Sequence, residues 1–434
     1  MYYRRFLSRI LLLLICIWGG ESNVYAQDIP NLPAREGSIP CIYLETEDVI
    51  RDKKTYVDGT ARFLDPDGWY SDQSETVVPM KIRFRGKLSL KAPEKSYRIR
   101  LEKETPVFGM PSDRNWALIA NYFDKSLLRN KLAMKISEIA GMAWTPKCRT
   151  CDIYLNGEYM GCYDLFQHKA VSPEKVNIVP VKKEEAPDEG SYYLGIEATD
   201  PDFRTPVFQI PIIFSNPSFH QLSEAHRTYV RARFLEMERA LKENPASGLY
   251  RKYLDLPSFA RLFIIQELSK NIDGVVRKSD FLVLTPGRPM TIYHVWDFDL
   301  AFGNVNYMPI KYMPASLGHR GDDPEGFFIK DVSESGLGNG LMQYLFRDPA
   351  FVAEVKKAWE EMFPGLQKLT DWLREEAAVY DEPYRRDFQR WASSRFRNRY
   401  EPAPHATSYD AARDRLISFY ERRLAWMDEA VRSL

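Results

Sequence analysis

The chain lacks an excess of charge of either sign, with 60 basic residues against 60 acidic ones in a length of 434. That balance excludes bulk electrostatic binding to nucleic acid, which needs a basic excess, and gives no sign of a polyacidic substrate. Cysteine is scarce at five and histidine at six. With a single CxxC pair (Cys148 and Cys151), a zinc or redox site of Cys and His is poorly supplied. There is no collagen period, heptad run, block of like charge or internal repeat. What is present is 44% apolar and 13% aromatic residues, enough for a sizeable core and against long disorder. The length allows two or three domains, or one large one.

One apolar run stands apart. Arg4, Arg5 and Arg9 precede Ile10 to Trp18, and Val24-Tyr25-Ala26 ends in a small-x-small pattern before Gln27. A basic start, a short apolar stretch and a peptidase site are the parts of a signal peptide. The run is short of the roughly 20 residues of a membrane span. Residues 1–26 are therefore expected to be cleaved near Ala26. The mature protein is expected to be exported, to the periplasm, cell envelope or exterior, with no stable membrane span. Arg4, Arg5, Arg9 and Glu21 leave with it, so 60 basic and 60 acidic residues become 57 and 59.

Residues 27–37 read as a Pro-containing linker. From residue 38 the pattern is β-rich to about 215. Met80 to Arg85 and Ser96 to Leu101 alternate apolar and basic, as half-buried strands do. Trp116 to Ala120, Tyr192 to Ile196 and Val207 to Ile213 read as further strands. Asp124 to Ala140 reads as a helix with a Leu127, Leu128, Leu132, Ile136 stripe. Helical periods follow over Phe219–Lys242 and Pro257–Lys270. A strand pair then spans Asp280–Leu284 and Thr291–Val295. The tail from Gly338 is helical, broken near Pro364, Pro383 and Pro402, and its Arg385–Arg399 stretch reads as a helix surface. This order implies a two-lobed α+β chain rather than alternating βαβ units.

Export changes the reading of cysteine, because four remain in an oxidising compartment. Asn156-Gly157 between two strand-like runs predicts a two-residue hairpin turn. In that register Cys151 faces Cys162, within disulfide range. Two buried free thiols are the alternative. Cys41 and Cys148 have no readable pairing.

The densest chemical signal is Asn271-Ile272-Asp273 followed by His294-Val295-Trp296-Asp297-Phe298-Asp299. Asp273 falls just after a helix, where an acid is a poor structural choice against the negative dipole end. Asp297 and Asp299 follow a strand, with Phe298 expected in the core. Carboxylates from two loops suit a divalent-metal phosphoryl site, since Mg²⁺ prefers hard oxygen ligands. Caps or surface groups are the structural alternative for each. His294 reads as packed rather than catalytic. Asn121 to Asn130 reads either as a phosphate-binding helix start or as a segment capped by Asp124.

These residues occur in order with others. Arg85-Gly86, Lys95 with Tyr97-Arg98, Gly109-Met110-Pro111, Trp116 to Asn121, Asp124-Lys125 with Leu128-Arg129-Asn130, and Tyr154-Leu155-Asn156-Gly157-Glu158-Tyr159 precede the two Asp motifs. From about residue 80 to about 305 the chain resembles the CotH kinase family. The resemblance implies an atypical protein-kinase-like, two-lobed α+β fold over residues 38–335, with 336–434 a helical extension of the same domain. It implies transfer of the ATP γ-phosphate, with Mg²⁺ or Mn²⁺, to a Ser/Thr or other envelope hydroxyl. Asp273 resembles the catalytic Asp, and Asp297 the metal-binding Asp with Asp299 a second ligand. Lys95 and Arg98 lie in the basic strand that would face phosphates.

The sequence also departs from the family. Lys87-Leu88-Ser89 replaces small polar residues after Arg85-Gly86. Phe166-Gln167-His168-Lys169 lacks the expected acid of a Glu-Lys pair. Arg277-Lys278-Ser279 stands where a second metal ligand is wanted. Two readings stay open: an exported kinase, and a kinase-like binding or scaffold protein of the envelope without turnover.

Overall fold

The computed structural model describes residues 39–70, 75–274, 277–305, 321–331, 340–395, 401–402 and 404–434. The signal peptide and linker expectations lie outside the described residues. Seven strands come first: β1 (Cys41–Thr46), β2 (Val57–Leu64), β3 (Glu75–Phe84), β4 (Tyr97–Val107), β5 (Met110–Ile119), β6 (Cys148–Leu155) and β7 (Glu158–Gln167). They close into a barrel in the order β1-β2-β3-β4-β5-β7-β6. β1 pairs antiparallel with β2 and parallel with β6, which seals the ring. Period-two alternation sends Ile82, Ile99, Leu118, Ile153 and Leu165 into a separate barrel core.

The Asn-Gly turn forms as expected, with Leu155 opposite Glu158. The disulfide expectation is corrected. Ile153 pairs with Gly161 and Tyr154 with Tyr159, so Met160 is an extra residue. This bulge slides the register by one, placing Cys162 opposite Asp152 and Cys151 opposite Tyr163. Cys151 then packs inside the barrel, and Cys162 on its outer face. All four described cysteines are free thiols.

Between β5 and β6 lies α1 (Arg129–Ile139), shorter than the Asp124–Ala140 helix expected. The preceding turn is held by the Asp124 carboxylate, which accepts from Ser126 and from the Arg129 backbone and guanidinium. Asp124 therefore acts as a cap. A second, five-stranded sheet follows, of β8 (Tyr192–Glu197), β9 (Phe203–Arg204), β10 (Pro211–Asn216), β11 (Lys278–Leu284) and β12 (Thr291–Val295), in the order β12-β11-β8-β10-β9. The strand expected over Val207–Ile213 starts later. Glu238 holds the amides of Val207 and Phe208 in a turn instead.

Helices α2 (Glu224–Glu243) and α3 (Leu256–Ser269) come before β11. The C-terminal part is helical: α4 (Leu341–Leu345), α5 (Pro349–Gln367), α6 (Leu369–Val379), α7 (Asp381–Arg395) and α8 (Tyr409–Arg432). The break expected near Pro364 falls at Lys368, between α5 and α6, because α5 runs through the proline to Gln367. Only the last helical turn remains beyond this proline, and Trp359, Met362 and Leu366 are buried along the same helix. Pro383 sits in the first turn of α7, where its missing N–H is harmless. One apolar cluster unites the outer barrel face (Ala117, Cys162, Phe166) with α1, α3 and the C-terminal helices as far as Val431. No helix among the described residues is long and apolar enough to cross a membrane.

Candidate active site

A cavity of about 500 Å³ opens between the barrel and the second sheet, within the size range of small-molecule sites. Asp273, Asp297 and Asp299 all line it. Asp273 reaches it from the turn after α3, whose last residue is followed by Lys270 in a left-handed cap (φ 46°). Asp297 and Asp299 reach it from the loop after β12. Asp297 itself is left-handed (φ 69°), so the stretch is not extended as alternation would have it. Phe298 is nevertheless fully buried between the two carboxylates, as expected.

A chain of amides fixes this loop. The Phe298 N–H donates to Asn130 Oδ1 (2.8 Å), Asn130 Nδ2 to Asn121 Oδ1 (2.9 Å), and Asn121 Nδ2 to Asp164 Oδ2 (2.7 Å) on β7. The Asp loop, α1 and the barrel wall are thereby locked together. Asn121 and Asn130 serve as connectors, a role no local pattern displays.

The carboxylates crowd one another. Enclosure in the cavity raises the Asp297 carboxyl first, and Asp273 raises it further, against Arg85 and Lys278. Asp299 is raised well above its ordinary range by enclosure, then by Asp297 and Asp273. Among the described residues no group of three or more His, Cys, Asp or Glu is placed to hold a metal ion. The donor set that exists is Asp297 and Asp299. That suits Mg²⁺, which takes one or two carboxylates and completes its shell with phosphate oxygens and water. A cation there would relieve the crowding that raises both groups.

The cations of the cavity differ from those expected. Lys95 does not line it, because its ammonium donates to the carbonyls of Leu90 (2.7 Å) and Ala92 (2.6 Å), at the end of the short turn Ser89–Lys91. A carbonyl-rich turn end attracts a lysine for the same reason a helix C-terminus does. Arg98 is not a lining residue either. It lies on the outer barrel wall, with Nη2 3.4 Å from Asn115 Oδ1. Lys53, Arg85, Lys87, Lys169 and Lys278 take the lining positions, with Glu197 among them. Arg85 continues the outward face of β3, stacks over Trp296 at 5.7 Å and is pushed down to about 10 by burial. Lys169 Nζ sits 3.5 Å from the Phe281 ring centre. Burial and Arg85 push it down to about 7. Lys278 Nζ is 3.2 Å from both oxygens of Asp273. The sequence signals for these residues were the Arg85-Gly86 motif, the Gln167-His168-Lys169 stretch and the Lys278 departure.

His294 is packed as expected. It stacks on Phe281 at 4.4 Å, bonds the Tyr193 hydroxyl at 2.7 Å, and is pushed down to about 3 by burial. A larger hollow of about 680 Å³ lies elsewhere, beside α6 and α8. It is lined by Arg374, Asp381, Arg413 and Glu421 with their neighbours, and no site carboxylate faces it. Its charges largely pair among themselves.

No curated protein matches the chain. The sequence model of the CotH kinase protein family matches residues 82–427, a span that includes the barrel strands from Ile82, the cavity and most of the C-terminal helices. On that match, the chain belongs to the CotH kinase family.

Proposed function

We propose that the protein is an exported kinase that transfers the γ-phosphate of ATP to a hydroxyl of a protein or other envelope-associated acceptor. The observation that carries this reading is the convergence of Asp273, Asp297 and Asp299 with Arg85, Lys169 and Lys278 on one cavity, in a chain of the CotH kinase family. The barrel and the second sheet with its helices then act as the two lobes of a kinase-like fold, with the cavity between them.

Asp273 orients the acceptor hydroxyl and takes its proton as the new O–P bond forms and the bond to the β-phosphate oxygen breaks. Arg85, with its fork of donors, and Lys169, as a point charge, hold phosphate oxygens and neutralise the charge left on ADP. Asp297 and Asp299 are the residues that would hold Mg²⁺ or Mn²⁺, and the bound ion supplies neutralisation of the β- and γ-phosphates. Trp296 and Phe281 give the cavity an aromatic wall.

A second reading, an envelope binding or scaffold protein without turnover, is favoured by one contact. Lys278 occupies both oxygens of Asp273, which opposes its use as a base. Two measurements on the mature protein separate them: the thermal shift with ATP·Mg²⁺, and transfer of labelled phosphate. The kinase reading expects both. It also expects Asp297→Asn to remove the shift, and Asp273→Asn to keep the shift while cutting transfer by about 10²-fold or more. A shift without transfer to any acceptor favours the scaffold, and no shift at all removes the nucleotide from both readings.

A further inference from the structure

The outer wall of the barrel beside the cavity carries cations in facing positions. Along β3, Lys81 and Arg83 point outward at period two, and Arg85 continues the row into the cavity. On β4, Arg98 and Arg100 point the same way. The register sets Arg83 directly opposite Arg98, and Lys81 directly opposite Arg100. Like charges so placed destabilise a sheet, and across the two successive rungs the barrel supplies one carboxylate, Asp58, against four cations.

Lys81 has Asp58, its neighbour on β2, at 2.5 Å. Arg83, Arg98 and Arg100 have no ion-pair partner among the described residues. Arg83 donates from Nη1 to the Lys53 carbonyl, and Arg98 reaches only Asn115. The Nε of each of these two arginines has no acceptor among the described residues. Lys81 and Arg100 are exposed, and Arg83 and Arg98 half-buried. The stripe ends away from the cavity at the exposed Glu102, the next outward residue of β4.

We propose that this stripe docks an acidic, Asp/Glu-bearing extended segment of the acceptor protein and leads its hydroxyl into the cavity. The proposal rests on the cavity being the site of transfer. Successive outward side chains on a strand lie about 7 Å apart, and an extended peptide offers alternate side chains at the same spacing. Guanidinium forks match carboxylates in pairs. A single-stranded nucleic acid would want free aromatic faces for stacking. The ring against this stripe, Tyr56, instead lies under the Arg83 guanidinium at 4.7 Å.

The test is fluorescence anisotropy of the mature chain with labelled short poly-L-glutamate, poly-L-lysine and oligo(dT). Poly-L-glutamate is expected to bind, more weakly as salt rises, and poly-L-lysine is not. Arg83→Glu with Arg100→Glu is expected to weaken poly-L-glutamate binding about tenfold or more, while melting and the ATP·Mg²⁺ shift stay as in the wild type. If that pair fails to fold, the exposed Arg100→Glu alone is expected to give a smaller loss in the same direction. Asp297→Asn is expected to bind poly-L-glutamate normally, which separates failure of docking from failure of phosphotransfer. Absent binding, binding indifferent to the arginine variants, or tighter oligo(dT) binding lost in the same variants would each overturn the proposal.

Discussion

An ammonium group 3.5 Å above the Phe281 ring, with the Arg85 cation nearby, is stripped of much of its water. Lys169 is accordingly pushed from 10.5 down to about 7, by burial first and Arg85 second. Its charge, needed to hold a phosphate, is therefore lost as pH rises past about 7. Nucleotide affinity, measured by calorimetry at about pH 6.5 and about pH 8.5, is expected to fall several-fold over that interval. Lys169→Arg, charged throughout, is expected to flatten the profile, and an unchanged slope in that variant would assign the titration elsewhere. For stability the sign is opposite. Between about 7 and 10.5 the unfolded lysine holds a proton that the folded one has released, so this group's contribution rises with pH across that window. The three carboxylates were legible in the sequence through the ordered family motifs, and Asp273 also because an acid just past a helix is a poor structural choice. Lys169 was visible only as the neighbour of a missing acid. Which of several lysines enters a cavity depends on which strand ends beside it, and Lys95 had carbonyls closer to hand.

The element that most changes its meaning in three dimensions is α7. Its Arg-rich sequence reads as a solvated surface, yet Arg386 meets the buried Asp152 of β6, and Arg390 meets Glu158 at 2.6 Å. Trp391 Nε1 donates to the Met160 carbonyl at 3.0 Å, and the Cys162 amide donates to Asp387. These contacts fall on the β7 bulge. Gly161 there has φ 130°, and a Cβ on it would stand 2.5 Å from Asp387 Oδ1. The Asn-Gly turn was legible because its signal is local; the bulge was not, because the helix that packs on it lies far along the chain. Burial lifts Asp152 to about 7, while Arg386 pulls against that rise. Arg386→Ala is expected to destabilise the protein by about 3–5 kcal/mol in denaturant titration, since it leaves a buried acid with the Tyr159 hydroxyl but without its cation. Adding Asp152→Asn is expected to restore part of the loss, and a purely additive double variant would show the two do not interact.

At the scale of the whole molecule, Arg423 of α8 is fully buried. It donates to the Glu267 carbonyl at 2.7 Å and carboxylate at 2.6 Å, and to the carbonyls of Pro324 and Gly326 at 2.8 Å. The same Glu267 carboxylate accepts from the amides of Phe328 and Ile329. The C-terminal helix thus pins the end of α3, just ahead of Asp273. Residues 39–434 are expected to unfold in one transition, with circular dichroism and tryptophan fluorescence coincident. Two separated transitions would instead make the C-terminal helices an independent unit. Arg423→Ala is expected to lower stability by about 3–5 kcal/mol. The α+β order could be read from hydrophobic period alone. The closing of seven strands into a ring could not, since the β1–β6 pairing joins segments far apart in sequence and carries no turn signal.

That seam has a kinetic consequence. During synthesis β1 emerges well before β6, and until β6 arrives the partly built sheet shows two bare edges to other chains. Pairing so remote is slow to form, and slow, open sheets are the species that aggregate. A chain interrupted before Leu155 is left with that unsealed edge, so its expected fate is self-association rather than a small soluble lobe.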